Sequence, residues 1–212
     1  MMSFFSLLSF IVYSAFGDNK LSKELHKNKQ LYASKPSLQF PDINLLENGD
    51  IIFRRGYGVD STVAANFSEG EKRYSHAGII YKKEDKIYVI HSEDDDEGHN
   101  GVFMENLDDF IDNSPIWAVY RYKVLDKIKV KMIQESLAFL HKHTKFDNDF
   151  DLKDDDKMYC TEFIYKVVNR SAKKEIIHAG KRFMSRTFVT ISDLYENSYA
   201  FLLQSNYKKI KE

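Results

Sequence analysis

The stretch "HAGIIYKKEDKIYVIHS", residues 76–92, decides the fold. Two β-rich runs, 76–81 and 86–92, flank the polar four-residue link "KKED", the pattern of an antiparallel hairpin. If Tyr81 pairs with Lys86, His76 sits opposite His91, and side chains so placed have Cβ atoms about 4.5–5.5 Å apart. If the turn is the tighter two-residue form, His91 faces Gly78 instead. Parity is the same in both registers, so the two histidines share one face of the sheet. One strand apart on a common face, they can act as a base and the group that orients it.

Outward from the hairpin, "DIIFRR" (50–55), "GVFMEN" (101–106) and "IWAVYRY" (116–122) read as further strands. A helix is expected over about 126–143, with Val130, Ile133, Leu137 and Leu140 on its apolar stripe. An acidic loop (147–157) then leads into a helix starting near Cys160, and a last helical region is expected near 192–204. Antiparallel strands first and helices after is an α+β layout.

Cys160 is the chain's one cysteine, so no internal disulfide forms and Cys-rich zinc sites are excluded. With Phe163, Ile164, Val167 and Val168 it recurs at i, i+3, i+4, i+7, i+8, a single inward stripe. It also occupies the first helical turn, where unpaired N–H groups and the helix dipole favour thiolate and could hold an oxyanion. If that helix packs on the face bearing His76 and His91, nucleophile, base and orienter converge. A lone cysteine is equally at home as an inert buried thiol, and a strand histidine as a satisfied core residue. On the residues alone both readings stand. The spacing of His76, His91 and His99 matches no standard zinc site. The loop "DNDFDLKDDD" fails the EF-hand register, with Leu152 at the glycine position and Met158 at the final glutamate, so it reads as a solvated acidic loop. Neither a metal nor a cofactor is expected.

Of the 212 residues, 43% are hydrophobic, which suffices for a buried core and argues against disorder. A formal net charge of −1 gives no electrostatic attraction to nucleic acid or an anionic membrane. Residues 1–17, "MMSFFSLLSFIVYSAFG", form an apolar run ending in a small-x-small pattern, as in a secretory signal peptide. The absence of Lys or Arg before the run, and Tyr13 within it, leave an uncleaved anchor or a buried helix as alternatives. A polar segment (18–39) follows, and residues 40–212 read as one domain. The chain is expected to be exported, periplasmic or secreted, near membrane or cell wall.

As an ordered set, "NGDIIFRRG" (48–56), "YSHAGIIY" (74–81), "YVIHS" (88–92) with "GV" (101–102), and "DDDKMYCTEFIYKVVN" (154–169) resemble the permuted papain-like cysteine hydrolases. The resemblance is to the YiiX/YaeF-like branch, related to NlpC-type cell-wall peptidases and to lecithin:retinol acyltransferase. A weaker echo lies at "TFVTISDLYENS" (187–198). The resemblance implies a sheet carrying the histidine followed by a helix carrying the cysteine. It implies His76 as general base, Cys160 as nucleophile and His91 as polar third member, where many members have Glu. A neutral His supplies no fixed negative charge there, and Glu93, on the same face, is the fallback orienter. Tyr159 and Glu162, flanking the cysteine, and Asp50, at the turn into the first strand, are candidate supporting residues. The implied activity is hydrolysis of an amide or ester in a peptidoglycan-peptide or lipid-like substrate, through a thioester acyl-enzyme. Acyl transfer by the same residues, or a non-catalytic binding module, are the alternatives. The aromatics Phe53, Tyr57, Phe67, Tyr74 and Phe103 could line an acyl groove or belong to the core.

Overall fold

Lys83 pairs with Lys86 in the computed structural model, so the decisive hairpin turns on two residues, Glu84 and Asp85. Glu84 takes a left-handed φ of 55°. The tighter of the two expected registers is therefore the one formed, and the four-residue link shortens because Lys82 and Lys83 continue the ladder. The structure describes residues 40–56, 73–95, 98–112, 114–183 and 186–206. The expected signal segment 1–17 and polar segment 18–39 lie outside them, as do Tyr57 and Phe67. Among the described residues no helix is long and apolar enough to cross a membrane.

Six strands form one sheet: β1 (Ile51–Arg55), β2 (His76–Lys83), β3 (Lys86–Asp94), β4 (Asn100–Asn106), β5 (Ile116–Tyr122) and, from the C-terminal region, β8 (Ala200–Ser205). Their order is β4-β3-β2-β1-β5-β8, with every neighbouring pair antiparallel. A separate short hairpin pairs β6 (Lys181–Phe183) with β7 (Arg186–Phe188). Among the described residues the helices are α1 (Leu107–Ile111), α2 (Asp126–His141), α3 (Cys160–Ala172) and α4 (Ile191–Tyr195).

Strand alternation sorts the side chains into two layers. Ile51, Phe53, Ala77, Ile79, Ile90 and Ala118 face the larger core, where Phe163, Ile164, Val167 and Val168 of α3 meet them. Those four α3 residues are fully buried, each stabilising by roughly 1.5–3 kcal/mol relative to exposure. On the opposite face Ile52, Ile80, Val89, Trp117 and Val119 form a second cluster with Leu46 and with Leu107, Phe110 and Ile111 of α1. Phe53 and Tyr74 are core residues, with their rings 5.3 Å apart and both packed on Tyr195.

Two expectations are corrected. The region 192–204 is not one helix: α4 ends at Tyr195, and "AFLLQS" forms edge strand β8 against β5. An apolar run that short fits either state locally, and long-range pairing decides it. In α2 the buried face is Met132, Ile133, Ser136 and Phe139, whereas Val130 is 57% exposed. Ile133, Leu137 and Leu140 of the expected stripe do lie in or against the core, so the correction is confined to Val130, whose place is taken by Met132 and Phe139.

Gly101 adopts a φ of 122°, and a Cβ built on it would lie 2.1 Å from the Thr144 carbonyl oxygen. That contact is where β4 abuts the segment leading to the acidic loop, and the Val102 N–H donates to the same carbonyl at 2.8 Å. Gly101→Ala is expected to destabilise the fold by about 2–4 kcal/mol, read as a shift in a denaturant-unfolding midpoint.

Candidate active site

The residues that meet at the head of β2 come from four strands and two helices. His76 opens β2, and His91 lies on β3 with the parity that gives both the same face. Gly78 lies close across the hairpin, where an added Cβ would sit 3.2 Å from the His91 Cβ. Without a side chain there, the rings can approach: His76 Nε2 and His91 Nδ1 lie 2.8 Å apart, with ring planes at 82°. Phe110 of α1 covers both rings, at 5.7 and 5.1 Å between centroids, and Phe103 of β4 packs on His91 at 4.2 Å. Both histidines are buried. Burial lowers the basicity of each, for His76 well below the ordinary range, with the nearby Arg54 charge and His91 acting in the same direction. For His91, contact with Glu105 opposes the effect of burial.

Cys160 is the first residue of α3, and that helix packs on the other face of the sheet, against Ala77, Ile79 and Ile90. The condition that the helix cover the histidine face is not met: the cysteine lies at the head of β2, where it meets Ala77. The backbone N–H groups of Ala77, the residue after His76, and of Thr161 act on the sulfur in the direction that favours thiolate. His91 engages His76 through Nε2, so Nδ1 is the ring nitrogen of His76 outside that contact. The thiol is not held as thiolate. Burial pushes it up to about 12, the Glu93 charge adds to this, and the two N–H contacts and Arg54 only partly oppose it. The helix-start environment is outweighed by desolvation, which reverses the lowering expected from position alone.

The turn that carries Cys160 is pinned on both sides. The Tyr159 hydroxyl accepts the Val189 N–H at 3.0 Å, and the Thr161 hydroxyl donates to the Val189 carbonyl at 2.6 Å. This explains the weak sequence echo at 187–198: it is the clamp for the cysteine. One strand residue from His91, the Ser92 hydroxyl donates to the Met158 carbonyl at 2.6 Å. Buried Glu162 accepts the Tyr159 N–H and pairs with Lys166 at 2.7 Å, so it caps α3. Burial raises its carboxyl to about 7.

Glu93 is near the histidines without touching them. Its Oε2 is 3.8 Å from His76 Nε2 and 3.7 Å from His91 Nδ1, beyond hydrogen-bond reach. Both its oxygens accept from Arg54 Nη2, at 2.9 and 2.7 Å, while Arg54 Nη1 donates to the Phe110 carbonyl and the guanidinium lies over the Phe110 ring at 4.7 Å. Asp50 lies elsewhere. Fully buried at the opposite end of β1, it accepts from Arg121 at 2.7 and 2.8 Å and from the Glu47 N–H, and so anchors a turn. Sequence reasoning missed Arg54, Phe110 and Glu105. Arg54 and Glu105 were detectable by parity, because each shares the face of His91; Phe110 belongs to a five-residue helix with no periodic signal.

His76, His91 and Glu93 offer donor atoms within 4.8 Å of one another, an arrangement that invites comparison with a metal site. The fit is poor. The histidine nitrogens are already in direct contact with each other, and a cation at Glu93 would lie beside the Arg54 guanidinium that holds both carboxylate oxygens.

No curated protein matches the chain. Among solved structures, the metalloprotein YiiX of Escherichia coli O157:H7 is similar with a TM-score of 0.64 and 19% identity, covering 76% of this chain and 98% of that one. The likeness is one of fold: the sheet carrying the histidines and the following helix carrying the cysteine are arranged as in a permuted papain-like protein. Residues 45–194, from the buried Leu46 region through the Val189 clamp to α4, match the profile of one family. The chain belongs to the permuted papain-like amidases of the YaeF/YiiX type, the C92 family.

Proposed function

We propose that the protein is a cysteine amidase in which Cys160 attacks an amide carbonyl and His76 accepts the thiol proton. The observation that carries this reading is the 2.8 Å contact of His76 Nε2 with His91 Nδ1 on the strand whose next residue, Ala77, presents its backbone N–H to the Cys160 thiol. His91 holds the ring of His76 in place, and Nδ1 takes the proton as sulfur bonds to carbon. The Sγ–H bond breaks, a tetrahedral oxyanion forms, and N–H groups in the first turn of α3 stabilise it. Protonated His76 then returns its proton to the leaving amine, and water hydrolyses the thioester.

Since burial disfavours both the imidazolium and the thiolate, the resting state is a neutral thiol beside a neutral imidazole. Proton transfer belongs to the chemical step, with charge forming only as the carbonyl is attacked. The core position of Phe53 and Tyr74 favours peptide-type acyl donors over long acyl chains. An exported enzyme would meet such donors in cell-wall peptides. The raised thiol also supports a second reading, a binding module that keeps the fold without turnover.

Cys160→Ala is expected to abolish cleavage of peptide amides while leaving the unfolding midpoint within about 1 kcal/mol of wild type. An alanine variant with full activity would exclude the mechanism, and a wild type inert to every peptide and lipid-like substrate and probe would favour the binding module. Alkylation of Cys160 by iodoacetamide, followed by mass spectrometry, should accelerate about tenfold per pH unit from about pH 6 to 10. A preformed thiolate–imidazolium pair would instead give a plateau below neutrality. Activity is expected to survive EDTA; loss on chelation and recovery with added zinc would restore the metal reading of His76, His91 and Glu93.

A further inference from the structure

We infer that Glu105 is a positioning residue that sets which nitrogen of His76 is free to take the Cys160 proton, acting through the tautomer of His91. The inference deepens the amidase reading and rests on it only for its last link, the thiol.

Glu105 lies on β4, where the register pairs it with Val89 and pairs Phe103 with His91, so all four share one face. Its Oε1 lies 2.8 Å from His91 Nε2, close enough for an ion pair though out of line for a straight hydrogen bond. That nitrogen is buried and has no aligned partner elsewhere. A carboxylate only accepts. With a bare lone pair on Nε2, two electron-rich atoms would face each other at this distance; with the proton there, the contact is attractive. His91 is neutral, so a proton on Nε2 leaves Nδ1 as an acceptor.

The next contact then has one solution. His91 Nδ1 lies 2.8 Å from His76 Nε2, so His76 Nε2 carries the proton between them. His76 is neutral as well, and its single ring proton is now placed, which leaves Nδ1 bare and able to act as a base. With the opposite tautomer of His91, Nδ1–H would point at His76 Nε2, the proton of His76 would move to Nδ1, and the thiol would face a donor. Each assignment follows from the one before, and the chain begins at Glu105.

The other charged and titratable groups at this cluster do not compete. From β1, Arg54 is committed to Glu93 and the Phe110 carbonyl. From β3, the Glu93 oxygen is 3.7 Å or more from the inner nitrogens of both rings. From α3, Cys160 meets the backbone of Ala77. Glu105 is the carboxylate in contact with the ring pair. When the Sγ–H bond breaks and Nδ1–H forms, the positive charge on His76 is stabilised through His91 by that carboxylate. It supplies the fixed negative charge that His91 lacks, one residue further out.

The test uses the full chain labelled with 15N-histidine and long-range 1H–15N spectra, which distinguish a protonated from a bare ring nitrogen. His76→Asn and His91→Asn variants assign the two rings among the seven histidines. His91 and His76 are both expected to carry their proton on Nε2 in the wild type. Glu105→Leu should erase this preference in His91 and lower kcat by about tenfold or more with KM little changed, whereas Glu105→Gln, which keeps an acceptor oxygen, should retain the tautomer and more of the rate. A wild-type His91 protonated on Nδ1 would overturn the inference, as would Glu105→Leu with the wild-type tautomer and kcat. If Glu105→Leu does not fold, the wild-type spectrum alone decides. The spectrum needs no substrate, so an active Cys160→Ala variant would end the amidase reading while leaving the tautomer assignment to stand or fall separately.

Discussion

A two-residue turn governs the molecule. Because Glu84 and Asp85 alone reverse the chain, Ile79 pairs with Ile90, and every side chain of β2 and β3 is committed to one face or the other. A slip of one residue would turn Ile79 and Ile90 out of the larger core and carry the histidines into it. The apolar core and the polar site are thus one register seen from two sides. The packing that keeps Ile79 and Ile90 against α3 is also what keeps His91 against His76.

The electrostatics follow from that layering. Placing imidazoles between Phe103, Phe110 and the sheet removes water from them, and the nearby Arg54 charge further disfavours a proton. Desolvation acts on the thiol in the opposite chemical sense and protects it as S–H. Arg54 and Glu93 neutralise each other at the margin of the site, leaving little net charge beside the histidine pair. On the proposed mechanism such a site is quiet at rest, and charge forms only as a bound carbonyl is attacked.

Much of this was legible in the sequence, and the part that was not has physical causes. Five strands, α2 and α3 announce themselves by period, and the parity of His76 and His91 survives either turn length. The side of the sheet taken by α3 was not legible, because the stripe from Cys160 to Val168 shows that the helix is buried without showing against which face. The thiol's resistance to ionisation was not legible either: position in the first turn is visible in a sequence, while the burial that outweighs it is not. Edge strand β8 escaped because "AFLLQS" has no decisive period and owes its state to β5, nearly eighty residues earlier. Asp50 and Glu162 stood near the motifs for structural reasons, as a turn anchor and a helix cap.

The position of β4 at the margin of the sheet has a consequence for how the protein fails. An edge strand has a ladder on one side only, and β4 relies on β3 and on the backbone bond from Val102 to Thr144. Edge elements open at lower free energy than a sheet's interior. Fraying of β4 would withdraw Phe103 from His91 and admit water to a ring whose properties depend on dryness, while the larger core lost only Val102 and kept its packing on α3. Opening of the histidine site and loss of fold are therefore separate events in this architecture, and on the proposed mechanism the site is the more fragile of the two.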